Sequence, residues 1–291
     1  MSELITRFEE DLQLAGYAER SRQSYISAVH RMQRFLQKPL DDITEEDLRQ
    51  YWLACTSDFG WSPASLRVSY SGIKHFFTRT LVRAWPLLNE VRIKRDEKLP
   101  TVLSRQEVKR IIEALPTLQS RTYYTTLYSL GLRLGEALTL QVPDILSDRG
   151  LVHVHAGKGA MDRVVPLPVI TLALLRDYYA THRNPQWLFP ALGRNKGKRA
   201  GTATTHASKS ALQIVLQRTL RRLSIKKHVH PHVFRHSYAT HLIEANVPIR
   251  HVQQLLGHKT LKSTIVYLHV TTQAQTDSHQ RVAQLMQGIL S

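Results

Sequence analysis

Two short blocks of this 291-residue chain combine residue types and spacings suited to holding an anion and attacking it. In Pro231-His232-Val233-Phe234-Arg235-His236 the proline is placed to open a helix, and His232 and Arg235, three apart, share one of its faces. An imidazole and a guanidinium then stand together near a helix N-terminus, where negative charge is favoured. The plainer alternative is a surface His-Arg pair beside a helix cap. In the second block, Leu255-Leu256-Gly257-His258 stands nine residues before Tyr267. Ile249, Val252, Leu255 and Leu256 fall on one apolar face, Gly257 is placed to end that helix, and His258 occupies the corner before the helix bearing Tyr267. A tyrosine in such a setting is ordinarily core with a satisfied hydroxyl; this one gains interest from its neighbours.

The histidine run His228, His230, His232, His236 and His241 raises the question of a metal, since 232 and 236 have an i, i+4 spacing. No carboxylate lies nearby in the sequence, and Lys226 and Lys227 disfavour a bound cation, so no metal is expected there.

The elements that must position these residues divide into two parts. Residues 1–90 read as a small helical domain of four amphipathic stripes. They are Leu4, Phe8 and Leu12; Tyr25, Val29, Met32 and Leu36; Leu48, Tyr51, Trp52 and Cys55; and Leu66, Tyr70, Ile73, Phe77 and Leu81. Thr44 before an acidic turn and Ser62-Pro63 mark two helix starts. The polar stretch 91–100 reads as a linker ending in Pro100, and Ser104 to Glu107 as a capping box. Residues 101–291 follow as a second domain. Helical patterns are expected around 119–141, 169–182, 207–223, 231–245, 248–256, 261–269 and 277–290. A strand-like hairpin is expected over Leu151–Pro168, turning at Gly157-Lys158-Gly159. Gly193–Ser208 reads as an exposed loop. The fold class is therefore mainly α with a small β-sheet.

Charge bounds the partners. The formal net charge is +17 and the pI about 10.2. The stretch from Tyr178 to Ile243 has no Asp or Glu but 12 Lys and Arg, a distribution suited to phosphate contacts, although a solvated basic face has the same composition. In the first domain, residues 20–40 and 59–89 lack acids and carry Arg22, Arg31, Lys74 and Arg79 among their cations. These four, with Lys209 and Arg218, are the candidate DNA contacts. A single cysteine excludes an internal disulfide. No apolar run approaches the roughly 20 residues of a membrane span, and the start has no signal-peptide core, so a cytoplasmic protein is expected, nucleoid-associated when DNA-bound.

Four blocks, in order and spacing, resemble those of the tyrosine recombinases, the phage-integrase family that includes Xer-type and transposon integrases. They are Leu127 through Glu136; Gly157-Lys158-Gly159 before Arg163-Val164-Val165-Pro166-Leu167; Pro231 through His236; and Leu255 through Tyr267. The resemblance covers nearly the whole chain and implies an N-terminal four-helix core-binding domain and a C-terminal mixed α/β catalytic domain with a tail helix. By position it makes Arg133 and Arg235 the clamp on the scissile phosphate, His232 and His258 their partners, Lys158 the hairpin lysine and Tyr267 the nucleophile. Two departures stand out: His230 replaces the usual Ser or Thr cap, and Pro168 to Phe189 is too short for the integron-type insertion.

Those roles are physically reasonable. Two guanidiniums can share the charge that builds on the non-bridging oxygens of phosphodiester exchange, through fixed donors that stay protonated. A phenol of pKa about 10 is on the order of one part in a thousand ionised at neutral pH, so it needs a base or cationic surroundings. His232 is the expected base and His258 the expected phosphate donor, with the reverse division between the two histidines left open, and Lys158 is the acid that protonates the leaving 5′ oxygen. Glu136, one turn after Arg133, is expected to orient that guanidinium. No metal or nucleotide cofactor is expected, because the phosphotyrosyl link conserves bond energy for rejoining.

The expected function is site-specific recombination through a 3′-phosphotyrosyl intermediate on Tyr267. The alternatives are a type IB topoisomerase-like enzyme and a non-catalytic DNA-binding protein. Double-stranded DNA is the expected partner, with monomers assembling to a tetramer on two sites through Val282, Leu285, Met286 and Leu290 of the tail, and accessory DNA-bending proteins as further candidates.

Overall fold

The computed structural model describes residues 3–93, 100–155, 162–193 and 200–268. The tail stripe at 282–290 and the hairpin turn with Lys158 lie outside them. The chain separates into two units, Met1–Lys98 and Leu99–Ser291. Among the described residues, no helix is long and apolar enough to cross a membrane.

In the first unit, α1 (Glu3–Leu14), α2 (Glu19–Leu36), α3 (Glu45–Ser57) and α4 (Pro63–His75) enclose one apolar core, followed by the short α5 (Leu87–Glu90). The sequence sets the starts: Thr44 and Asp47 form a reciprocal capping box, and the Ser62 hydroxyl accepts from the Ser65 N–H with Pro63 in the first turn. The fourth stripe is not one uniform helix. It widens after His75 into a π-helical turn, Phe76–Thr80, where the Leu81 N–H reaches Phe76 O. That turn buries Phe76 and Phe77, and Phe76 packs edge-on against Phe8 of α1.

The second unit is helical with a three-stranded antiparallel sheet in the order β1-β2-β3. It begins with α6 (Arg105–Ala114), α7 (Leu118–Ser129) and α8 (Leu134–Leu138). The pattern read at 119–141 is thus broken at Gly131, whose φ of +61° suits glycine. A Cβ there would lie 2.5 Å from the Tyr238 ring, so the close approach of α7's end to the following core also demands glycine. The strands β1 (Ile145–Leu146), β2 (Leu151–Val154) and β3 (Arg163–Pro166) follow, with Val154 opposite Arg163 and Val152 opposite Val165. β1 pairs Ile145 with Val152 and, at two residues, is too short to show a periodicity in sequence.

Four larger helices and a terminal turn complete the unit: α9 (Val169–Ala180), α10 (Lys209–Arg222), α11 (Pro231–Glu244), α12 (Ile249–Leu256) and α13 (Lys262–Ile265). α11 starts at Pro231 after His230, whose side chain makes no cap hydrogen bond, so substitution of the usual hydroxyl does leave that start without a side-chain cap. Tyr123, Leu127, Phe189, Leu216 and Phe234 lie in the main core, while Ala239, Val252, Leu256 and Tyr267 form a separate apolar cluster. Tyr267 lies just beyond α13, in a turn closed by its N–H to Thr264 O at 3.0 Å, rather than within a helix as its spacing suggests.

Candidate active site

The end of α12 organises the site. Its last carbonyls have no partner within the helix, and Gly257 turns the chain away with φ +63°. Three arginines from distant positions meet these carbonyls. Arg163 donates from Nε to Leu255 O at 2.9 Å, Arg235 from Nη2 to Leu256 O at 2.5 Å, and Arg133 from Nη2 towards Gly257 O at 3.5 Å. Cations at a helix C-terminus are also favoured by the aligned peptide dipoles. Gly257 is hemmed by the same group, since a Cβ would approach Arg163 Cδ to 3.0 Å.

Glu136 closes the cluster from the other side. Its carboxylate accepts from the Arg133 backbone N–H at 2.8 Å and from Arg133 Nη1 at 2.6 Å. Arg163 grips both of its oxygens, at 3.1 and 2.8 Å. Arg235 Nη1 lies 3.7 Å from the carboxylate and donates to Gly131 O at 2.8 Å. Burial opposes ionisation of Glu136, but the hydrogen bonds from Arg163 and Arg133 overcome it and hold the carboxyl at a pKa of about 2. Three guanidiniums therefore face one carboxylate, and two positive charges remain uncompensated. Arg235 is 3% exposed; burial and then the charge of Arg133 pull it down to about 10, so it stays protonated at neutral pH. The Arg133 side chain is 38% exposed and is the member of the trio most open to an incoming anion.

Tyr267 closes on this cluster. Its hydroxyl is 2.9 Å from His236 Nδ1, and its ring stacks on His258 at 6.2 Å. Burial raises the phenol's pKa, while the charges of Arg235 and then Arg133 act to lower it. His236 is brought down to about 4 by burial and by His232, His230 and Arg235. It is neutral at pH 7 and fit to accept the phenolic proton at Nδ1. His258 is likewise lowered to about 4, by burial and then by Arg235 and Arg133, and its Nδ1 pairs with Thr264 Oγ1 at 2.9 Å.

Of the residues singled out in the sequence, the structure thus unites Arg133, Glu136, Arg235, His258 and Tyr267. Lys158 lies outside the described residues. His232 is exposed, with its pKa lowered by partial desolvation, then His230 and Arg235; the Tyr267 hydroxyl pairs instead with His236. Helical phase does not separate them, since 232, 235 and 236 share one face of α11; the difference lies along the axis, with Arg235 and His236 one turn further into the fold and His232 in the exposed first turn. Arg163 is the further member that sequence reasoning missed. A signal existed, because an arginine two residues from the buried Val165 shares its face of β3.

The basic candidates are scattered. On the first unit, Arg31 lies 5.3 Å over the Trp61 ring and lines an open groove with Arg20, Gln23, Ser65 and Val68. Arg22 instead pairs with Glu19, and Lys74 with Asn89. Arg79 is exposed, as are Lys209 and Arg218 on α10.

Comparison with known proteins gives a consistent identity. Residues 101–274 match the model of the phage integrase family, and residues 4–87 that of the phage integrase N-terminal SAM-like domain. A Sinorhizobium fredii protein named by its resemblance to integrases and recombinases is 35% identical over 94% of this chain and 86% of its own length. A tyrosine recombinase of Thermosipho africanus is 31% identical over 97% of this chain and the whole of its own. The fold is shared with lambda integrase, crystallised as a tetramer bound to a Holliday junction, at TM-score 0.72 and 19% identity over 90% of this chain and 76% of the other. The chain belongs to the phage integrase family, the tyrosine recombinases.

Proposed function

We propose that this enzyme is a site-specific recombinase in which Tyr267 Oη attacks a DNA phosphate held by Arg133 and Arg235. The oxygen–phosphorus bond forms as the bond to the 5′ oxygen breaks, leaving a 3′-phosphotyrosyl link. The observation that supports this most directly is that the Tyr267 hydroxyl pairs with His236, which follows Arg235 on α11, while its ring stacks on His258, which follows the Leu256 and Gly257 carbonyls that Arg235 and Arg133 approach. Two uncompensated positive charges match the extra negative charge that develops on the phosphoryl oxygens. His258 donates to one of those oxygens, Lys158 protonates the leaving 5′ oxygen, and Glu136 with Arg163 positions the arginines.

In the arrangement described, the nucleophile is sheltered. A phenol 2% exposed and paired with His236 must leave its pocket to meet a phosphate. His236 accounts for the resting position, and His232, at the solvent edge, is the base after the tyrosine moves out. Variants separate the two: His232→Ala slows adduct formation at saturating DNA, and the reverse ranking, with only His236→Ala slowing it, moves the base to His236.

Double-stranded DNA is the substrate, with cations such as Arg31, Arg79, Lys209 and Arg218 on the backbone. Two cleaved sites exchange strands within a tetramer, as the DNA-bound tetramer of lambda integrase suggests; on this reading Val282, Leu285, Met286 and Leu290 of the tail join the subunits, accessory DNA-bending proteins assist on some sites, and the enzyme works in the cytoplasm on the nucleoid. The test is covalent capture. The protein is incubated with a nicked library of genomic duplexes, denatured, and the protein-linked fragments sequenced. A recurrent site linked through its 3′ phosphate, absent with Tyr267→Phe, supports the proposal. Adducts that persist in that variant, or the absence of adducts despite tight site-selective binding, overturn it; exchange between two duplexes then separates a recombinase from a topoisomerase.

A further inference from the structure

Away from the arginine cluster, metal-ligating side chains gather at one end of the sheet. His153 and His155, two apart along and just beyond β2, project from the same face, with ring centroids 4.3 Å apart. Asp144, which ends the short 3-10 turn before β1, and Asp162, which precedes β3, bring carboxylates to the same place. Asp162 Oδ2 is 3.4 Å from His153 Nε2 and 3.5 Å from His155 Nδ1. Those are ligand-to-ligand separations of a tetrahedral Zn²⁺ site, where bonds of about 2.0–2.1 Å give edges of about 3.3–3.4 Å. The other nitrogen of His155, Nε2, is 2.7 Å from Oδ1 of Asp144, whose side chain is 7% exposed. A ligating histidine almost always passes its second N–H to such a carboxylate, which fixes its tautomer and orientation. The donor atoms of Asp144, His153 and His155 all lie within 4.8 Å of one another.

We propose that His153 Nε2, His155 Nδ1 and Asp162 Oδ2 bind one divalent transition-metal ion of the Zn²⁺ class, with Asp144 holding His155 from behind and water completing the tetrahedron. Two imidazoles favour such an ion over Ca²⁺ or Mg²⁺, which prefer oxygen ligands. None of the four residues acts in the proposed strand transfer, so the ion is not part of that chemistry. His155 and Asp162 flank residues 156–161, and a shared metal ties together the two ends of the segment that includes Lys158.

The test uses full-length protein without an affinity tag, stripped with chelator and titrated with Co²⁺ alone. The proposal expects one equivalent to bind with the visible absorption of a tetrahedral site, and Zn²⁺ to displace it. Asp162→Asn, at an exposed position, weakens binding, and Asp144→Asn weakens it about 10–100-fold. His153→Ala/His155→Ala abolishes the absorption. The chain has 15 histidines, so His228→Ala/His230→Ala is the control and retains it. Absence of saturable Co²⁺ binding, or binding that survives loss of His153 and His155, overturns the proposal.

Discussion

Asp47 in the first unit and Glu136 in the second are both held near a pKa of about 2, by contrasting means. Asp47 closes the start of α3: Lys38 Nζ donates to it at 2.8 Å, and the Thr44 N–H and hydroxyl at 2.9 and 2.8 Å. Its cation is 46% exposed, so water and salt reach the pair, and its worth is that of a helix cap. Glu136 is 6% exposed and set among guanidiniums, of which Arg163 is 8% and Arg235 4% exposed. There the charges are removed from water, and each survives only because the others are present. The first unit spends its charge on its surface around an apolar core, whereas the second buries charge to assemble a site.

Predictions follow from that contrast, the largest first. Tyr267→Phe brings the covalent DNA adduct to background in a denaturing gel, yet costs only about 1 kcal/mol of stability, the typical worth of one hydrogen bond. Glu136→Gln leaves buried guanidiniums without their counter-charge and destabilises the second unit by about 3–5 kcal/mol in denaturant titration. An equal, small cost for Glu136→Gln and Asp47→Asn would erase the distinction between the two regions.

Acid sharpens it next. Glu136 has a folded pKa of about 2 against an ordinary 4.5, so its contribution is fully present above about 4.5 and is lost as pH falls towards 2. The shift corresponds to about 3 kcal/mol, and Glu136→Gln should flatten the stability profile between pH 4.5 and 2. Asp47→Asn costs about 1 kcal/mol, as expected for a cap. Arg31→Ala changes stability by no more than about 0.5 kcal/mol, but lowers DNA affinity similarly across sequences and reduces the salt slope by about one.

Much of the local structure was legible because its causes are local. The helix start at Thr44, the box at Ser104, the proline starts at 63 and 231 and the stop at Gly257 lie where the sequence placed them. The pairing of Arg133 with Glu136 follows from three residues of separation at the start of α8. Arg163 was harder to see: its partners Glu136 and Leu255 lie 27 and 92 residues away. His236 was obscured by its neighbours, since a spacing argument pairs His232 with Arg235 and does not say which of them faces the core.

The sequence by itself determined most of the described helices, several of their caps, the pairing of β2 with β3 and the candidates Arg133, Glu136, Arg235, His258 and Tyr267, because periodicity, capping and residue chemistry are written within a few turns of chain. Only the tertiary structure decided that α12's last carbonyls gather Arg133, Arg163 and Arg235 around Glu136, and that the Tyr267 hydroxyl rests on His236. Those outcomes depend on packing between segments far apart in the chain, and on the need of each buried charge and carbonyl for a partner once water has been excluded.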